Sequence, residues 1–381
     1  MTDREELLGD ILSRIADQLN ITDTMYEKAV SRYRAVGEWI GDGLGEYDVH
    51  IMPQGSMNLG TVVRPLSDKE DYDIDLVCLL AAGKGLSARE VKHKVGDRLK
   101  ENKVYAEKLD PEGKRCWTMQ YEEFHMDILP CVPFEDEYIS PGHAAINLTN
   151  KDKNLGTYQF RPSDPSAYHD WFLDRARPYI LLANKKVAAR ATEIKPVPVN
   201  TSRLKTPLQK AIQLLKRHRD VYFEKHPDLA PISIIITTLA AWACAHEENV
   251  YVALKTILNQ MASHVELRGR EYWVANPVMP AENFAEKWNA EPARREAFVD
   301  WCAQARSDLV EVTNYVGLDE LSSHYKKVLR PEPVDRAFKG LGDSVLNKRV
   351  AGGLYLSGLS TGLSTSAVAG KAVAAHSFYG T

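Results

Sequence analysis

The stretch Tyr72–Leu80 constrains this chain more than any other, because it opens with Asp73 and Asp75 and closes in an unbroken apolar run. A run of that length bounded by polar loops reads as a buried strand, and in a strand residues two apart share a face. Asp73 and Asp75 therefore project together, while Ile74 and Leu76 point into a core. Pairs of this kind arise by chance about seven times in a chain this acidic, so the surroundings decide. Upstream stand Gln54, Gly55 and Ser56, a turn whose glycine permits close backbone approach and whose hydroxyl and N–H groups suit phosphate oxygens. Downstream, Asp127 lies between Met126 and Ile128 in a second apolar strand, where an unpaired carboxylate would be costly.

Three aspartates on two strands repel one another unless a cation lies among them. Oxygen-only ligands on a rigid scaffold suit Mg²⁺, with Mn²⁺ as the alternative. Two such ions beside a phosphate-binding turn make a site for two-metal nucleotide chemistry. His125 shares a face with Asp127, and the expectation there is a packed or carboxylate-held histidine rather than a working one.

The net charge of −4 argues against a protein that coats a long nucleic acid, yet it leaves room for a local phosphate site. The five cysteines are scattered, without metal or disulfide spacing, as expected of buried thiols in a reducing cytoplasm. The longest apolar run, Ile232–Cys244, is too short to span a membrane and reads as a core helix.

Helical periodicity marks 4–19 and a second helix led by Thr22 or Asp23 that ends in a glycine cluster; Tyr47–Met52 reads as the first strand. Beyond the aspartate strand, 87–100 is an amphipathic helix, and Val104–Leu109, Cys116–Tyr121 and Phe124–Val132 are strands. The result is an α+β chain: a mixed sheet of four or five strands with helices, then an irregular segment with a linker at Lys195–Val199, then helices to about residue 330. The Gly-, Ser- and Ala-rich stretch 351–381 is expected to be a flexible tail.

The Gly-Ser turn, the paired aspartates on one strand and the third aspartate on a later strand resemble the DNA-polymerase-β-like nucleotidyltransferases, with Tyr72 in a slot that is usually apolar. Within that superfamily the chain looks most like the bacterial cGAS/DncV-like enzymes (CD-NTases). The loop Met57–Tyr72, the segment Arg161–Pro165 leading to Asp170–Phe172, and the helix Leu208–Tyr222 carry this likeness. It implies a bilobal protein, with a nucleotidyltransferase palm and N-terminal spine helices over 1–200 and a helical lobe over 201–335. Lys216 and Ser233 match the lysine and serine that clamp the donor triphosphate in that family, with Arg217 and Arg219 as the runner-up phosphate contacts; Arg203 and Lys205 are candidates to reach the acceptor that no motif fixes. Asp73 and Asp75 would hold both ions, and Asp127 the ion that activates the attacking hydroxyl.

The implied activity is synthesis of a cyclic di- or trinucleotide from ATP, with or without GTP, through 3′–5′ bonds. Its implied role is a second messenger that a separate effector reads in anti-phage defence. A ubiquitin-transfer-like (E1/E2-like) enzyme acting on the C-terminal tail would be a partner. The rival readings are transfer to a tRNA end, a small molecule or a protein, and an inactive nucleotide-binding regulator.

Overall fold

The first helix, α1 (Asp3–Gln18), begins in a capping box: Thr2 Oγ1 accepts from the Glu5 N–H at 3.2 Å, and the Glu5 carboxylate accepts from the Thr2 N–H at 3.0 Å. Its apolar positions Leu8, Ile11, Leu12 and Ile15 fall on one stripe and are buried. The second helix, α2 (Asp23–Gly43), is capped by Thr22 and buries Ala29, Val36 and Ile40. The computed structural model describes residues 2–65, 71–134, 145–152, 154–176, 205–312, 315 and 317–350, together with 355–357, 363–364 and 370–372.

A mixed sheet follows, built from β1 (Val49–Gln54), β2 (Tyr72–Leu80), β3 (Trp117–Gln120), β4 (Phe124–Pro133), β5 (Ile146–Lys151) and β6 (Tyr158–Ser163). Its order is β1-β2-β4-β5-β6, with β3 paired to β4; β2 and β4 are parallel and the other pairs antiparallel. The Gly-Ser turn runs straight into a short helix, α3 (Gly55–Leu59). Helix α4 (Ala88–Glu101) and α2 cover one face, packing Val36, Ile40, Val91 and Val95 on Ile74, Leu76, Met126 and Ile128.

The stretch Val104–Leu109, expected as a strand, instead holds a short helix, α5 (Lys103–Ala106). The Asn102 carboxamide accepts from the N–H groups of Val104 and Tyr105, and this cap overrides the strand preference of the valine and tyrosine. A single bridge from Leu109 to Met119 is what remains of strand pairing there.

Beyond β6 come α6 (165–176), α7 (Pro207–Tyr222), α8 (Ser233–Ala243) and α9 (Val250–Gln260). Two small hairpins absent from the sequence reading intervene: β7 (Glu266–Arg268) with β8 (Glu271–Trp273), and β9 (Ala275–Asn276) with β10 (Met279–Asn283). The chain then forms α10 (Glu286–Ala290), α11 (Pro292–Leu309), α12 (Leu318–Leu329) and α13 (Pro331–Val350), so helix extends well past residue 330. Helix α1 does not lie on the sheet but packs against α7, α9 and α13, sharing one apolar interior with Leu215, Leu254, Ile257 and Val334.

The tail expected to be flexible carries three short strands, β11 (Tyr355–Ser357), β12 (Leu363–Ser364) and β13 (Gly370–Ala372), with β11 in the middle. Backbone N–H and C=O groups can pair without large side chains to bury, so low apolar content did not exclude them. The linker Lys195–Val199, Arg203 and the terminal Tyr379–Thr381 lie outside the described residues. No described helix is long and apolar enough to cross a membrane.

Candidate active site

The parallel register of β2 and β4 sets Asp75 opposite Asp127 and Asp73 opposite His125. From one side β1 brings Gln54 beside Asp75, and from the other β3 brings Thr118 beside Asp127. One row thus crosses four strands in the order Gln54, Asp75, Asp127, Thr118, with neighbours roughly 5 Å apart. Further along the same face, Val77, Leu79, Leu129, Cys131, Ile146 and Leu148 form an apolar cluster that roots it.

This row opens into a cleft of about 670 Å³ whose lining includes Gln54, Gly55, Ser56, Asp73, Asp75, Asp127, Lys216 and Ser233. Gly55 has φ of +68°, and a Cβ there would stand 1.8 Å from Asp75 Oδ2, so only glycine fits beneath that carboxylate. The Gln54 carboxamide oxygen is buried and has no donor among the described residues.

The carboxylates raise one another. Burial first, then Asp127 and Asp73, push Asp75 up to about 7. Asp73 is also raised, by crowding of the surrounding protein and then by Asp127, although it faces the open cleft. Asp127 Oδ1 accepts a hydrogen bond of 2.6 Å from the Thr118 hydroxyl. His125 is held between carboxylates, Nε2 at 3.1 Å from Asp71 and Nδ1 at 3.8 Å from Asp73.

Lys216 reaches the cleft from α7. It is 5% exposed, and its Nζ donates to the carbonyl and hydroxyl of Thr61 at 3.1 and 3.3 Å. Burial, then the nearby Arg219, lowers it to about 7. Ser233 is the first residue of α8, and its hydroxyl accepts from Arg219 Nη1 at 3.0 Å, leaving its own proton free to point at a ligand. Arg219 stands behind Ser233, and Arg217 is buried and donates to the Arg64 carbonyl, so neither lines the cleft. Lys205 lines a separate cavity with Asp10, Ser13 and Lys210.

The donor set suits hard divalent ions. Three carboxylates share one face, Gln54 adds an unpartnered oxygen, and the proton affinity of Asp75 shows how poorly the cluster bears its own charge. Among the described residues no three His, Cys, Asp or Glu side chains converge as a finished cage, so the fit is one of donor chemistry and facing. The sequence reading missed Thr61, Thr118 and the cleft wall formed by Lys114, Arg115, Asn276, Glu282 and Glu286. Asp71 alone carried a signal, as it continues the every-second-residue pattern of Asp73 and Asp75.

Residues 8–175 match the family model of the Second Messenger Oligonucleotide or Dinucleotide Synthetase domain. A c-di-GMP synthase of Roseivirga ehrenbergii is 28% identical over 98% of this chain and 97% of its own. The cyclic dinucleotide synthase CdnG of Bradyrhizobium diazoefficiens is 25% identical over 74% of this chain and 70% of its own. The solved structure of a Bradyrhizobium diazoefficiens CD-NTase, CdnG in complex with GTP, shares the fold: its TM-score is 0.68 at 20% identity, covering 88% of this chain and 99% of that one.

Proposed function

From the premise that the chain belongs to the bacterial CD-NTase family of nucleotidyltransferases, we propose that it makes a cyclic dinucleotide from GTP, alone or together with ATP, releasing pyrophosphate. The relatives named for cyclic dinucleotide and c-di-GMP synthesis support the product class and weight the substrate toward guanine. The observation that carries the reading is the register placing Asp75 beside Asp127 in a cleft that also holds Lys216 and Ser233.

Asp73 and Asp75 would hold two Mg²⁺ ions, with Mn²⁺ as the alternative, and Asp127 would complete the one nearer the attacking hydroxyl. When bound, the ions lower the pKa of that hydroxyl and neutralise charge on the departing pyrophosphate. The chain supplies position. The Gly55–Ser56 backbone and the Ser56 hydroxyl hold phosphate oxygens from one side. Lys216 meets the triphosphate from the other, as a cation whose proton is retained once phosphate replaces Thr61 as its neighbour. Ser233, steadied by Arg219, donates to the same phosphates at the start of α8. Thr118 holds the Asp127 carboxylate in place through its 2.6 Å donation to Oδ1. The first bond joins two nucleotides into a linear intermediate, and a second attack closes the ring.

The product is a second messenger in anti-phage defence, read by a separate effector, and the tail is offered to an E1/E2-like conjugating enzyme. Purified protein incubated with Mg²⁺ and the four NTPs, singly and in pairs, then phosphatase and mass spectrometry, tests the activity. A phosphatase-resistant cyclic dinucleotide containing guanosine is expected; a linear product alone, or a labelled macromolecule, would overturn the reading.

A further inference from the structure

Two cation–carboxylate pairs flank the cleft: Arg115 Nη1 lies 3.7 Å from Glu282 Oε1, and Lys114 Nζ lies 3.7 Å from Glu286 Oε1. At that separation neither is a direct hydrogen bond. Arg115, Glu282, Asn283 and Glu286 line the main cleft and also a side cavity of about 320 Å³ that adjoins it. Arg115, Glu282 and Glu286 are charged groups that the chemistry of phosphoryl transfer leaves unused.

Both partners of the Arg115–Glu282 pair are held in place from behind. Glu282 sits on β10 with its side chain 19% exposed, and Asn276 Nδ2 donates to its Oε2 at 2.9 Å, which leaves Oε1 toward Arg115 and the cavity. Asn276 itself is buried. Arg115 follows a loop clamped by Lys92, which is fully buried and donates to the carbonyls of Gly113 and Lys114 at 2.6 and 2.8 Å. A buried lysine that donates to two loop carbonyls, with the Glu112 carboxylate 3.9 Å away, fixes the backbone just before Arg115. The side cavity is also lined by Trp273, whose indole N–H is buried without a partner among the described residues.

We propose that this flank reads the guanine base of the attacking nucleotide, with Glu282 and Arg115 as specificity-determining residues; this rests on the guanine-nucleotide reading given above. Guanine presents along one edge two donors, the 2-amino group and N1–H, and then an acceptor, O6. Glu282 supplies acceptors and Arg115, beside it, supplies donors, in the matching order. Adenine turned to the same pair sets its N1 lone pair against the carboxylate and its amino group against the guanidinium, so the pair rejects as well as selects. The position agrees with the row of strands. The Gly55 turn that takes triphosphate follows β1, at one end, whereas Arg115 precedes β3, at the other.

The test uses inosine triphosphate, which lacks only the 2-amino group. Full-length protein with Mg²⁺ is given equimolar GTP and ITP, and the guanosine-to-inosine ratio in the product is measured. The wild type is expected to favour guanosine by about 10- to 100-fold, the range for a hydrogen bond to a charged acceptor. In Glu282→Gln, whose carboxamide turns its NH₂ toward the base, the ratio should fall to near one while inosine incorporation persists. Arg115→Met should lower both incorporations and keep their ratio, because both bases carry O6. A Glu282→Gln variant that loses guanosine and inosine incorporation by the same factor, or that keeps the wild-type ratio, would overturn this proposal and leave the guanine reading standing. A wild type that makes no guanosine-containing product would overturn both.

Discussion

Replacing Gly55 by alanine tests the site at its most crowded point. The residue has φ of +68°, and a Cβ there falls 1.8 Å from Asp75 Oδ2, far inside contact distance. An L-residue in the left-handed region costs roughly 1–2 kcal/mol. With an unfolding entropy of about 2.1 cal/mol/K per residue, about 1 kcal/mol lowers Tm of a chain this long by roughly 1 °C, so the conformational part alone predicts a fall of about 1–3 °C. The collision adds a different effect. Asp75 must swing off the turn, and a misplacement of about 1 Å at a reacting centre costs on the order of 100-fold in rate. Pyrophosphate release from GTP at saturating Mg²⁺, measured beside a thermal melt, separates the two. Gly55→Ala should fold, melt modestly lower, and lose about 100-fold in kcat. Wild-type turnover from this variant would refute the placement of Asp75 against the turn.

Three further expectations concern charge. Asp75 keeps its proton in the folded chain up to about pH 7, against 3.8 for the ordinary carboxyl, so its contribution favours folding below about pH 4 and is lost as pH climbs to 7. Lys216 behaves oppositely: its folded value of about 7 against 10.5 makes its contribution disappear as pH falls through 7. Metal-free protein should therefore show a dip in Tm near pH 7, and the Asp75→Asn, Lys216→Met double variant should lose it; a flat wild-type profile in EDTA would contradict both shifts. Above pH 7, nucleotide binding should draw a proton onto Lys216, seen by calorimetry in buffers of different ionisation heat, and Lys216→Met should abolish that uptake and weaken affinity by about 10- to 100-fold. Thr118→Val removes the 2.6 Å donation to Asp127 and should lower the rate about tenfold at limiting Mg²⁺ while changing stability by only about 1 kcal/mol; an unchanged Mg²⁺ dependence would count against a positioning role for Thr118.

The aspartate pair was legible because strand periodicity is a local property: nothing beyond Tyr72–Leu80 is needed to put Asp73 and Asp75 on one face. Lys216 and Ser233 were singled out through family likeness, and α7 and α8 bring both to the cleft. Thr118 and Thr61 were not, because they matter only through pairing with distant segments: β3 must find β4 before Thr118 meets Asp127, and α7 must dock before Lys216 meets Thr61. The same holds for Arg115 and Glu282, which belong to different parts of the chain. The misread helix at Lys103–Ala106 shows the converse, where one capping side chain, Asn102, outweighs the strand preference of its neighbours. The hairpins between Glu266 and Asn283 are too short for any periodicity to establish itself.

The seat of α1 among α7, α9 and α13 governs how the molecule can be born and divided. A ribosome finishes Leu8, Ile11, Leu12 and Ile15 long before it makes the surfaces that cover them, so the nascent chain carries a naked oily stripe through most of its synthesis. Severing the polypeptide between 176 and 205 would not release two self-sufficient halves, because the amino-terminal fragment would hold the missing wall of its partner's interior. Co-expressed, those fragments should reassemble; expressed singly, each should be sticky.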